Sequence, residues 1–481
     1  MAPGSRHHNR RLLGVLSLLH QLRHIWIRVG SSLWFVPLGL VFGAITLAVV
    51  LIGVDVFVGT EWIGKKSLVF GVGASGARGV LAAIAGSMMT VASLTFSLTI
   101  STLAAASSQY TSRLIRNFMR DRVNQFVLGY FVGLFAYCLV VLRTIRSGED
   151  EAAFVPSLAV TGGLLLALVS IAVLIYFIHH IAESIQVGVI LRRVTGETLE
   201  TIDELFPADV GEAATATAAA SNSDPAPLGV TPHAIQDVYA GLHWYPVSAQ
   251  RFGYVESLDA KSLLALAAKH DAVVRMSADI GSFVTSEGLL CEAATVSPPA
   301  EDFIVQVRGT FSIGAARTIE QDAAFGIRQI VDISLKALSP GVNDTTTAIM
   351  CLDYLTAILV RLAAREIPSS HRFKDGKLLV IARGPTFDSL LAEAFDQIRQ
   401  NAEGNVAVLA RLVEALETIA KATVHTRRRQ GLRTQAELIA AVAERTVTPA
   451  EAAGINVALV RLNQILNLLG ATETFVSRLG R

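Results

Sequence analysis

Four stretches of this chain, residues 33–54, 80–106, 126–142 and 154–178, contain no Asp, Glu, Lys or Arg. A bilayer's hydrocarbon core is about 30 Å thick, and a helix crosses it with about 20 apolar residues. Within that core every backbone polar group must be satisfied locally, which restricts such stretches to helices. The first two-fifths of the chain therefore reads as an α-helical polytopic membrane domain of about four spans. The first stretch does not read as a signal peptide. Its apolar run exceeds an h-region of about 7–15 residues, and no small-residue cleavage site follows closely.

Orientation comes from Lys and Arg in the short flanks. Arg6, Arg10, Arg11, Arg23 and Arg28 precede the first stretch, Arg113, Arg116, Arg120 and Arg122 lie between the second and third, and Arg192 and Arg193 follow the fourth. Lys65, Lys66, Arg78, Arg143 and Arg146 fall on the other side. Eleven against five puts both termini in the cytoplasm. Trp34 and Trp62 are placed as interfacial anchors, and His179 and His180 end the fourth stretch at the opposite surface. Gly39 and Gly43, like Gly129 and Gly133, have the spacing that lets membrane helices approach closely. Glycine frequency alone in such helices accounts for the pairs equally well.

The second stretch is rich in hydroxyls. At about 100° per residue, Thr90, Ser93, Ser97, Ser101 and Ser108 share one stripe, while Thr95, Thr99 and Thr102 share another roughly opposite. Such hydroxyls can bond their own helix carbonyls and so tolerate lipid. They can equally join neighbouring helices, or line a hydrated path through Thr90, Ser93, Ser97 and Ser101.

Two nucleotide-like motifs are declined. Residues 71–76 spell GxGxxG, but no βαβ unit surrounds them and no acidic residue follows about 20 positions on. Residues 59–66 approach a P-loop, yet Lys66 stands where Ser or Thr would hold magnesium. Cys138, Cys291 and Cys351 lie far apart, which supports neither disulfides nor a zinc site. A net charge of +1 excludes a basic nucleic-acid binder. No catalytic residue, cofactor or metal site is read from the chain, and it is not read as an enzyme.

Beyond residue 193 a helix extension is expected to continue the fourth span, followed by an Ala-, Thr-, Ser- and Pro-rich linker over 207–230. The rest predicts a cytoplasmic α+β domain with a small β-barrel- or sandwich-like part over 231–300 and a helical bundle over 301–481. The corresponding boundaries earlier in the chain are 1–32 for a cytoplasmic segment, 33–182 for the membrane domain and 183–230 for extension plus linker. Residues 316–338 read as one helix, carrying Asp322 and Asp332. A turn at Pro340 and Gly341 follows, with Asn343 or Asp344 capping the next helix. Asp322, Asp332, Pro340, Asn343 and Asp344 form a candidate ligand or interface loop, because hard oxygen donors of this kind suit magnesium or calcium. Capping and solvation explain the same residues.

MMTVASLTFSLTISTLAAASSQYTSRLIRNFMRDRVNQ from Met88, LGYFVGLFAYCLVVL, GYVESLD and ARTIEQDAAFGIRQIVDISLKALSPGVNDTTTA resemble a bacterial membrane family, domain of unknown function 2254. That family often has Pro where Thr345 stands, and Ser-Pro-Arg where Thr111, Ser112 and Arg113 stand. The resemblance implies a multi-pass inner-membrane protein and supplies no activity, ligand or catalytic residue. The functional expectation is a homo-oligomeric channel or transport-like protein in the lipid bilayer, with a cytoplasmic regulatory domain. The alternative is a non-transporting scaffold or ligand sensor.

Overall fold

The computed structural model describes residues 34–58, 73–109, 121–146, 154–206, 241–367, 370–374, 377–423 and 425–479. The amino-terminal arginines, Trp62, the P-loop-like residues 59–66, Arg113, Arg116 and Arg120, and the linker over 207–230 lie outside them. The chain divides into two compact units, Met1–Gln186 and Val187–Arg481.

Unit 1 contains α1 (Phe35–Val58), α2 (Ala74–Gln109), α3 (Arg122–Thr144) and α4 (Ser157–Ser184). Each of the four apolar stretches lies within one of these helices or within a few residues of it. α3 is the central helix, packed against the other three. Gly129 and Gly133 set its approach to α1: a Cβ on Gly129 would stand 2.7 Å from Pro37 Cα, and one on Gly133 would meet Ala44 Cβ at 3.3 Å. Gly39 and Gly43 have no such neighbour, so of these two spaced pairs Gly129 and Gly133 alone serve close packing. Tyr137 is wholly buried, and its hydroxyl donates to the Ala159 carbonyl at 2.6 Å. Gly162 and Gly163 leave room for that ring.

The unit has a buried charge that the sequence reading stopped one residue short of. α1 continues past Val54, and Asp55 is only 6% exposed. Its carboxylate accepts from the backbone N–H groups of Leu158 and Ala159 at 3.0 and 3.1 Å. Pro156, the residue at the cap position of α4, makes no side-chain cap bond, so an acid from α1 satisfies the positive helix end. At the same ends of the helices, Arg78 donates to the Ile145 carbonyl at 2.7 Å, placing a cation on the negative terminus of α3.

The expected uninterrupted extension of α4 does not form. α4 stops at Ser184, and α5 (Val187–Leu205) starts anew after Ile185 and Gln186. The Ser184 hydroxyl donates to the His180 carbonyl, and such back-bonding takes an acceptor from the helical ladder and bends helices.

Unit 2 starts with α5 and holds two sheets. β1 (His243–Ser248), β2 (Gly253–Leu258), β3 (Val273–Met276), β4 (Phe283–Val284), β5 (Leu289–Thr295) and β6 (Phe311–Gly314) are joined by β7 (His371–Lys374) and β8 (Lys377–Ile381). One sheet runs β1-β5-β3-β8-β7 and the other β4-β2-β6. β3 and β8 pair in parallel, Val274 opposite Val380, and the remaining pairs are antiparallel. The shared core holds Val247, Val255, Val274, Leu290 and Ile313 with Phe303 and Leu263. Those last two come from α7 (Glu301–Gly309) and α6 (Ala260–Lys269). Two expectations need correcting. The β part is not confined to 231–300, and the segment after 301 is not purely helical. The large sheet is completed by β7 and β8, more than 70 residues downstream of β5, with β8 hydrogen-bonded beside β3 and β7 at the outer edge.

The helices α8 (Ala323–Leu338), α9 (Thr345–Ala363), α10 (Phe387–Asn401), α11 (Val406–Ala422), α12 (Arg428–Thr446) and α13 (Pro449–Leu479) complete the unit. α8 begins at Ala323, seven residues later than its periodicity predicts, because Asp322 leaves the helix to cap it. Among the described residues five helices are long and apolar enough to cross a membrane: α1 to α4 and α9.

Candidate functional site

α2 presents two hydroxyl stripes with different surroundings. Thr90, Ser93, Ser97 and Ser101 are all exposed on the outside of unit 1. Thr90 and Ser93 donate to the carbonyls of Gly86 and Met89, four residues back, at 3.1 and 3.0 Å. Ser108, placed on the same stripe, lies outside the described side chains. The opposite stripe turns inward: Thr95 and Thr102 are buried and Thr99 is half-buried. These three hydroxyls donate to the carbonyls of Ala92, Thr95 and Leu98, each at 2.8 Å.

The inner stripe borders a pocket between α2, α3 and α4, lined also by Asn124, Phe177 and Ile181. Asn124 is 6% exposed, and its Oδ1 is buried with no hydrogen-bond partner among the described residues. A buried polar atom left unsatisfied costs about 1–3 kcal/mol. Three residues earlier Asp121 caps α3, accepting from Val123 N–H at 2.9 Å through one oxygen and binding His180 Nε2 at 2.6 Å through the other. His180 stacks on Tyr176. His180 is therefore tied into the helix bundle, whereas His179 is exposed and pairs with Glu183. The sequence reading missed Asp121, Asn124 and Asp55. Asp121 is a cap-type acid five residues before the apolar run at 126, too far upstream for the run itself to mark it as the helix start.

In unit 2 the candidate loop residues have separate partners. Asp322 accepts from Phe325 N–H and from Arg317 Nε and Nη2, at 3.0, 2.8 and 3.0 Å. Burial pushes its carboxyl above the ordinary range against the pull of Arg317. Gly281, at φ +85°, makes this pair feasible, since a Cβ there would collide with the Asp322 carboxylate. Asp332 binds Arg328 one turn away at 2.9 Å. Asp344 caps α9 through Thr347 N–H at 3.0 Å and the Thr347 hydroxyl at 2.6 Å, contacts that hold its carboxyl below the usual range. Asn343 sits at φ +49° in an exposed turn with Pro340. Among the described residues no group of three or more His, Cys, Asp or Glu side chains could hold a metal ion. The three cysteines are buried free thiols.

A further cation is structural. Arg428 is 9% exposed and donates to the carbonyls of Leu362, Ala363 and Arg365 at 3.0, 2.9 and 2.8 Å, closing the C-terminus of α9.

The family described as predicted membrane protein (DUF2254) matches residues 30–418. An uncharacterized protein of Mycobacterium bovis is 37% identical over 375 residues, covering 77% of this chain and 68% of its own length. An uncharacterized protein of Mycobacterium tuberculosis matches with the same identity and coverage. No solved structure matches. With its apolar helices and a match over most of its length, this chain belongs to the DUF2254 family of predicted membrane proteins.

Proposed function

We propose that the chain is an oligomeric channel or transport-like protein of the bacterial inner membrane, with unit 2 as a cytoplasmic regulatory domain. The observation that carries this reading is the uncovered hydroxyl face of α2 at Thr90, Ser93, Ser97 and Ser101. Hydroxyl side chains are typical contacts between membrane helices, and this stripe is exposed among the described residues of one protomer. Copies of the chain arranged around α2 would turn the stripe toward a shared path. Unit 1 supplies four spans, with both termini cytoplasmic by the arginine count.

α9 is kept out of the membrane in this reading. Its buried face packs within unit 2, and its exposed face carries Asp353 bound to Arg411 at 2.6 Å and Arg361 bound to Asp203 at 2.7 Å. A charge at the bilayer centre costs about 2.5–3.5 kcal/mol on insertion scales. The chain is not an enzyme here. Its partners are the bilayer and its own copies, and it uses neither nucleic acid nor cofactor.

The test is ion flux through the purified full chain in liposomes, beside Ser97→Trp. Flux that the tryptophan blocks supports the reading. An absence of flux from folded, inserted protein overturns it, and so does flux indifferent to the substitution.

The alternative, a non-transporting scaffold or ligand sensor, is favoured by one observation. The turn before α9 exposes an apolar tip, Val342 at 51%, beside Asn343 in the left-handed region. If Val342→Glu leaves the proteins crosslinked to the full chain in cells unchanged, that reading loses its basis.

A further inference from the structure

We infer that unit 2 carries a site for a small organic cation on the outer face of the sheet β4-β2-β6, with a methylated ammonium as the group it recognises. The inference does not require the outer stripe of α2 to line a path.

Three groups meet in one row across that sheet. Tyr254 of β2 stands opposite Phe283 of β4 on one side and Gly314 of β6 on the other. Directly opposed residues of antiparallel strands point to the same face. The Tyr254 and Phe283 rings meet edge to face, with centroids 5.3 Å apart and planes at 74°. Gly314 has no side chain, and the Glu256 carboxylate takes that space, so a Cβ at Gly314 would collide with it. A bulge between Val255 and Ser257 leaves Glu256 without an opposite residue in β6, and bulges re-aim side chains in this way. The row is therefore a carboxylate beside two aromatic rings. It faces outward: Phe283 is 56% exposed, whereas Val255 and Ile313 point into the core.

The charge pattern selects the ligand. Glu256 is half-buried and has neither a hydrogen bond nor an ion pair among the described residues. A partly desolvated carboxylate without a counter-charge carries a penalty that an arriving cation removes. Aromatic faces bear partial negative charge and attract cations too, more strongly as water is excluded. Both features repel an anion, and a neutral ligand would leave the carboxylate unpaired. Arg317, packed against Gly281 ahead of β4, is already engaged. Asp322 binds it at 2.7 Å, and its guanidinium lies over the Phe325 ring. A methylated ammonium suits rings and acid together, because its methyl groups pack on the aromatics while its charge meets the carboxylate.

Choline is the probe, with the purified full chain held in phosphatidylglycerol nanodiscs, whose lipids bring no ammonium of their own. Saturation-transfer NMR on the choline methyl protons detects weak binding, and titration gives its affinity. Transfer to choline is expected. Neohexyl alcohol, the neutral isostere with carbon in place of nitrogen, should bind about tenfold more weakly. Glu256→Gln should weaken choline binding about tenfold, the worth of one contact to a charged group, and leave the alcohol unchanged. Phe283→Leu, at an exposed position, should weaken choline binding about threefold. Melting temperatures check that both variants fold. The inference is overturned if choline receives no saturation, if the alcohol binds as well as choline, or if the folded variants bind choline like wild type.

Discussion

α1 and α9 pass the same test of length and apolarity, yet they sit in opposite surroundings. α1 leaves large apolar side chains bare, with Phe42 72% and Phe57 92% exposed. α9 is boxed in by α5, α8 and α11, with Leu352, Leu355, Ile358, Leu359 and Leu362 fully buried. Its uncovered side is charged, and those charges are paired. An apolar helix needs an apolar environment, and protein can supply it as well as lipid. What separates the two cases is whether the hydrophobic surface is consumed within the fold.

The largest expected effect comes from placing a lysine in each helix of the full chain. Leu359→Lys buries an unpaired charge in the core of unit 2, which costs several kcal/mol. It should make that unit protease-sensitive while the chain still enters the membrane. Leu47→Lys, on the exposed side of α1, should instead lower the membrane-inserted fraction by about 2.5–3.5 kcal/mol of insertion free energy. Protease digestion and membrane fractionation read the two outcomes separately. If Leu359→Lys blocks insertion and leaves unit 2 intact, the contrast between the helices is wrong.

A second comparison is internal to unit 1. Gly129→Leu forces a side chain into the Pro37 backbone and should destabilise the bundle by about 1–3 kcal/mol, while Gly39→Leu points into open space and should change little. Unfolding of both variants in mild detergent measures the difference, and equal midpoints would remove the glycine contact from the account of α1 packing.

The smallest effect concerns the start of α9. Asp344→Ala removes a cap and should cost about 1 kcal/mol at neutral pH. The Thr347 hydroxyl and backbone hold the Asp344 carboxyl below its ordinary value, so its contribution is present above about pH 3.9 and is lost as pH falls through the lowered folded value. Wild type and variant should therefore converge in stability on acidification. Hydrogen exchange in α9 at neutral and acidic pH checks this, and a gap that persists in acid would contradict it.

The four membrane-type helices were legible because each contains a long uncharged run, and the helix bounds 406–422 were legible from periodicity. The small hairpin β7–β8 was not read, although Asp375-Gly376 between two short β-prone runs is a hairpin signal. Its place beside β3 is a contact across about 100 residues, which no local pattern encodes. Asp344 was recognisable as a cap-type acid and caps, whereas Asp322, expected inside a helix over 316–338, caps α8 instead. Their other partners, Arg317 for one and Thr347 for the other, keep them apart as two separate local networks.

Spacing in the chain determined that Thr90, Ser93, Ser97 and Ser101 share one side of α2 and that Thr95, Thr99 and Thr102 share another, since a helix advances about 100° per residue whatever surrounds it. Only the tertiary structure decided which side is covered. That choice rests on how α3 and α4 pack against α2, and so on contacts between residues far apart in sequence. The same packing placed Asp55 on the start of α4 and left the Asn124 oxygen buried without a partner among the described residues.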